Sequence, residues 1–265
     1  MTIFPGLLLA VNFVPTQAQT HTNQPDFVDL IFRSRWSELD QALKKINSFP
    51  KSQFKDYGET VIGSLCTFSG RSDMTGNVLT GMRLLYEHGA NPSGNHGAAM
   101  LQASRLDRWG EVTERLIKYG VNPNAKCSMN PVFEGLVPIY LTAEYNNSTK
   151  AAVVLLSKGA DPNVFTINPE NPTSDKGQLT PLMIATFKNK TEMIKTLVKF
   201  KAKVNLTSPS SGMTALHYAA KSNASESITA LLKAGANKKL KDKKGRTPLD
   251  IAKLAKAKLA VSLLK

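Results

Sequence analysis

The chain has 265 residues, 42% of them hydrophobic, with 17 glycines, 14 prolines and two cysteines. That length can bury a continuous core, and the even spread of glycine and proline excludes a low-complexity polymer. The net charge of +14 is unevenly placed: residues 186–265 hold 18 Lys and Arg against four Asp and Glu, whereas residues 1–185 hold 16 of each sign. The basic end reads either as a soluble polar end face or as a site for an acidic partner or nucleic acid. Few aromatics are interleaved with its lysines, so the base-stacking pattern of nucleic-acid binders is missing and nucleic acid is not favoured.

In chain order, residues 1–20 carry no charge. Ile3 to Val14 is apolar, and Pro15-Thr16-Gln17-Ala18 follows, with small residues where a signal peptidase cuts; residues 1–20 are therefore taken as a signal peptide cleaved after Ala18. The usual positive start is absent, and the competing reading is an apolar arm or strand packed on the first helices. The run is too short and too proline-broken to cross a membrane. Residues 27–57 are predicted to cap the N-terminal end, with helices over 27–32 and from Trp36 to Ile46, where Leu39, Leu43 and Ile46 recur at helical spacing. The next helix starts near Thr60 and should bury Cys66; its partner runs from Val78 to Tyr86. Residues 98–104 start a third unit, with Trp109 expected in the core between its helices, and Val137-Pro138-Ile139-Tyr140-Leu141 starts a fourth.

The last three starts are regular: Thr180-Pro181-Leu182, Thr214-Ala215-Leu216-His217 and Thr247-Pro248-Leu249, spaced by 34 and 33 residues. Threonine can cap a helix, and proline suits its first turn because that N–H would be orphaned anyway. Gly89, Gly120, Gly159 and Gly235 each end a second helix, and a left-handed residue is expected there. Lys201 stands where the fifth unit should have glycine, which predicts a strained positive φ. This period and hexapeptide resemble the ankyrin-repeat family, over nearly everything after residue 26. The resemblance implies an all-α solenoid of six to seven helix-pair repeats with short β-hairpin-like fingers and no sheet of its own. Repeats would fill residues 58–246, and a C-terminal cap would fill 247–265.

Two fingers are longer than the repeat requires: Lys126–Leu136 and Phe165–Gly177. Insertions in such a stack map to one face, often the binding face, and proline lowers the entropy a loop loses on docking. The candidate partner-binding residues are therefore Met129, Pro131, Phe133 and Glu134 in the first finger, Phe165, Ile167, Pro169, Glu170, Asp175 and Lys176 in the second, and Tyr140 and Tyr145 beside them. The four histidines (His21, His88, His96, His217) lack metal or triad spacing, and His217 occupies the histidine of the ankyrin hexapeptide. Ser52-Gln53-Phe54-Lys55 matches S-x-x-K by chance, without its companion motifs. Cys66 and Cys127 fall at different ends of the repeat and are expected to be free thiols. No catalytic, cofactor or metal site is predicted.

By resemblance the function is protein binding without catalysis. With an export signal, the chain looks similar to periplasmic bacterial ankyrin proteins that bind and block a peptidoglycan-cutting enzyme for self-protection. The partner would be a cell-wall endopeptidase or carboxypeptidase, covered sterically by a finger. The chain itself would be a monomer without membrane contact after cleavage. The alternative is a cytoplasmic scaffold, or a secreted effector docking a host protein.

Overall fold

The structure, a computed structural model, describes residues 26–46, 61–93, 98–126, 135–146, 148–167 and 178–265. It opens with α1 (Phe27–Phe32) and α2 (Trp36–Ile46). Next come α3 (61–66), α4 (Thr75–Glu87), α5 (Ala98–Leu106) and α6 (Glu111–Lys118). The fourth pair is α7 (Pro138–Glu144) and α8 (Lys150–Ser157), and the fifth is α9 (Pro181–Phe187) and α10 (Thr191–Lys199). The last two are α11 (Ala215–Lys221) with α12 (Ser225–Lys233), and α13 (Pro248–Leu254) with α14 (Lys258–Leu264). Among the described residues these make seven pairs in two rows. Inner helices α5, α7, α9, α11 and α13 pack each on the next, and outer helices α4, α6, α8, α10, α12 and α14 do the same. The all-α solenoid expected from the sequence is thus the observed architecture.

The hexapeptide fixes where the last three inner helices start. Thr180 Oγ1 accepts the Met183 N–H, and Thr247 Oγ1 accepts the Asp250 N–H while the Asp250 carboxylate takes the Thr247 N–H. Proline follows both threonines in the first turn. The helices are short, so isolated they would be marginal. They are held by burial: Leu182, Ile184, Leu197, Leu216, Leu231 and Ile251 belong to one continuous core. Each such side chain contributes about 1.5–3 kcal/mol when fully buried. Gly81 lets α4 approach α1, because a Cβ there would sit 2.7 Å from the Ile31 side chain.

Polar ladders lock neighbouring repeats at both ends. On the finger side, Asn124 Nδ2 donates to Gly159 O (2.8 Å) while its Oδ1 accepts the Asp161 N–H. Asn163 accepts the Lys203 N–H, and Asn205 bridges Gly235 O and the Asn237 N–H in the same way. On the turn side, Asp107 is fully buried and accepts the Trp109, Gly110 and Thr113 N–H groups and the Thr113 hydroxyl. Asn146 then donates to Asp107 O (2.8 Å), and Asn223 accepts the Ala260 N–H.

Several expectations meet detail here. Lys201 has φ +67, in line with the left-handed glycines Gly89, Gly120, Gly159 and Gly235. Cys66 is a buried free thiol; Cys127 lies outside the described residues. Trp109 is half-buried rather than in the core, in the Asp107 turn that joins α5 to α6. α4 starts three residues before Val78, where the Thr75 hydroxyl donates back to Arg71 O. Instead of no sheet at all, the long finger carries a two-residue antiparallel ladder, β1 (Thr166–Ile167) with β2 (Gln178–Leu179). Two β-branched residues opposite a returning strand favour that pairing.

Candidate protein-binding face

The site builds upward from α7. Pro138 presets its first turn and Val137 enters it in extended conformation, so Tyr140 and Glu144 fall one turn apart on the same side. Tyr140 is buried, and its hydroxyl reaches the side chains of Thr166 and Glu144. Burial, then the Glu144 charge, push the Tyr140 pKa up, so the phenol keeps its proton. Thr166 in turn donates to Leu179 O across the ladder (3.3 Å). At the other end of α7, Glu144 lies 3.8 Å from the Lys188 ammonium just past α9. A polar seam therefore runs from the root of the long finger down α7 to the next repeat. It ties Thr166, at the finger's root, to α7.

Beside this seam aromatic rings face outward. Tyr145 is 44% exposed, with the Arg105 guanidinium 5.1 Å from its ring centroid. Phe187 ends the neighbouring inner helix and is also exposed, as is Phe165 at the finger root. Lys190 braces the turn beneath them: its ammonium donates to Glu144 O (2.8 Å) and Asn146 O (2.9 Å). Burial, with help from neighbouring Lys188, pushes its pKa down to about 8. On the outer-helix side an open groove of about 800 Å³ carries mixed charges, among them Glu192, Lys195, Glu226 and Lys233.

The predicted residues divide accordingly. Tyr145 and Phe165 present surface; Ile167 is in β1, opposite Gln178; Tyr140 supports from behind. Met129, Pro131, Phe133, Glu134, Pro169, Glu170, Asp175 and Lys176 lie outside the described residues. So do His21, His96 and the 52–55 motif. Arg105, Glu144, Phe187 and Lys188 were missed. The available signal was positional: Phe187 is the last residue of α9, in the place that Glu144 holds in α7.

His88 stands 3.5 Å from Asp40 on α2, and His217 is consumed by a helix cap. Burial, with the Asp107 charge, pushes the Cys66 thiol up, away from the nucleophilic thiolate. Among the described residues no cluster of three or more His, Cys, Asp or Glu could hold a metal ion. No described helix is long and apolar enough to cross a membrane.

Comparison with known proteins agrees with the fold. A family model for ankyrin repeats, in three copies, matches residues 139–242 and 210–265. The second half of the chain thus carries ankyrin repeats, which are protein-binding modules and typically non-enzymatic. Over 159 residues the chain is 29% identical to a mitochondrial disaggregase of Bos taurus, covering 59% of this chain and 21% of that protein. The chain spans about a fifth of the length of the curated relative it matches.

Proposed function

We propose that the inner face of the fourth and fifth repeats grips another protein, and that the chain is exported to shield its owner from a peptidoglycan-cutting enzyme. The observation behind the binding face is the exposed rings, Tyr145 and Phe187 at the turn end of the inner helices and Phe165 at the finger root, with Tyr140 reaching Thr166 of that root. Aromatic anchors on a rigid support supply affinity at low entropic cost. The helices carry the finger, and the finger covers the partner's cleft. Export rests on the uncharged apolar stretch before Gln19. The partner's identity rests on analogy with periplasmic ankyrin proteins.

The test is affinity purification from the periplasmic fraction, with the natural chain and a Tyr145→Ala/Phe187→Ala variant. Enrichment of a cell-wall endopeptidase or carboxypeptidase by the first and not the second is the expected result. Equal capture by both would remove the aromatic face from the mechanism. Recovery of protein still carrying residues 1–18 would remove the export step. The similarity to a mitochondrial protein supports a second reading, an intracellular scaffold using the same face on a cytosolic partner. Cytosolic recovery with an unrelated partner would favour it.

A further inference from the structure

The terminal helix pair carries large apolar side chains where the sixth repeat carries charge. Leu254 is 66% exposed and Leu259 55% exposed. They flank the turn 255–257 that joins α13 to α14, so both stand at the turn end of the pair. Leu263, also exposed, lies one helical turn beyond Leu259 on the same side of α14.

This exposure does not come from standing last in the row. Aligning the repeats by their capping threonines puts Leu254 in the place of Lys221 in the sixth repeat, and aligning the outer-helix starts puts Leu259 in the place of Glu226 and Glu192. Those three residues are exposed although further repeats follow them. A further repeat stacked on the seventh would therefore leave both positions in solvent. Leucine stands where the sixth repeat has charge, at places that packing leaves exposed in that repeat.

The charges around the leucines are mostly of one sign, although Glu192 and Glu226 line the outer groove with Leu263. Lys253, Lys256, Lys258 and Lys265 are all exposed, and residues 251–265 contain no Asp or Glu. Two nearby carboxylates are engaged: Asp242 is buried against Arg246, and Asp250 closes the Thr247 cap. Pairing with a second copy would press lysine against lysine. Aliphatic tips ringed by lysines fit an anionic lipid surface, where the leucines enter the interface and the ammonium groups meet headgroups.

We propose that this turn is a peripheral docking site for a bilayer rich in anionic lipid. The site lies well away in sequence from the binding face around Tyr145, and it stands whether or not that face binds an enzyme. It departs from the expectation that the chain makes no membrane contact. Attachment is to the surface, since no described helix is long and apolar enough to cross a membrane.

The test is vesicle flotation of the purified full chain with phosphatidylcholine alone and with phosphatidylcholine containing about a third phosphatidylglycerol. The chain is expected to float with the second and not the first. Leu254→Lys/Leu259→Glu, which restores the sixth repeat's own residues, should reduce partitioning by roughly tenfold or more. Because both positions are exposed, circular dichroism should be unchanged. A Lys256→Gln/Lys258→Gln variant should also bind several-fold more weakly. No flotation with anionic vesicles would overturn the proposal. So would flotation that the lysine variant abolishes and the leucine variant leaves intact, since charge alone would then hold the protein. Dimerisation in light scattering that the leucine variant abolishes would overturn it too, and assign the patch to a second copy.

Discussion

His217 ties the sixth repeat to the seventh, and its replacement tests how the stack is held. The ring is fully buried. Nδ1 faces the Thr214 N–H at 3.1 Å, and that backbone group can only donate, so Nδ1 is the acceptor. The Thr214 hydroxyl lies 2.9 Å from the same nitrogen. Nε2 therefore carries the proton and donates to Arg246 O across the repeat boundary at 3.0 Å. His217→Ala removes the cap, leaves Arg246 O and the Thr214 N–H without these partners, and opens a space. A lost cap costs roughly 1 kcal/mol, an orphaned buried group about 1–3 kcal/mol, and the void adds to both. The expected loss is about 3–4 kcal/mol, read from urea unfolding at pH 7.5. A second readout fixes the mechanism. Burial holds the His217 pKa below its ordinary 6.5, so the unfolded chain takes up the proton first. The stabilisation is complete above about pH 6.5 and is lost as pH falls through the folded-state value. The natural chain should weaken between pH 7 and 5.5, and the variant should lose that slope. A loss under about 1 kcal/mol, or equal slopes in the two proteins, would refute the assigned hydrogen bonds.

Three other substitutions probe separate parts. Lys201→Gly relieves a left-handed residue costing roughly 1–2 kcal/mol but adds backbone entropy to the unfolded chain, so a net gain of about 0.5–1 kcal/mol is expected in thermal unfolding. Asn205→Ala cuts the bridge to Gly235 O and the Asn237 N–H, and should cost about 1–2 kcal/mol, again by urea unfolding. Tyr140→Phe keeps the ring but drops the hydroxyl that reaches Thr166. It should leave the midpoint within about 1 kcal/mol yet speed amide hydrogen exchange in the ladder at Leu179.

How much the sequence disclosed depended on what makes a residue visible in one dimension. The starts at Thr180, Thr214 and Thr247 were legible because a capping threonine and a first-turn proline act on the adjacent backbone, and Lys201 was legible by register with four glycines. Tyr140 was harder. An aromatic residue on an inner helix reads equally as surface or support, and only the position of Thr166 against it decides for support. Phe187 escaped because it sits inside a well-matched repeat, where attention falls on inserted loops. Leu254 and Leu259 were hidden by their neighbours: in a segment so rich in lysine they pass as ordinary core residues, and only their exposure separates them.

The uneven charge gives the two proposed surfaces opposite responses to salt. Around Tyr145 and Phe187 the contact is aromatic, Glu144 is matched by Lys188, and residues 1–185 carry no net charge. Affinity there rests on desolvation of rings, which added salt leaves nearly unchanged. The turn at 255–257 stands among residues with 18 cations against four acids. Its attraction to a charged surface reaches only about 8 Å at physiological ionic strength and about 3 Å at 1 M. Raising salt from 0.05 to 0.5 M should therefore change binding of the protein partner by less than about threefold while releasing the chain from anionic vesicles. A partner contact as salt-sensitive as vesicle attachment would place that contact on the lysine-rich end, and the rings at Tyr145 and Phe187 would lose their assigned role.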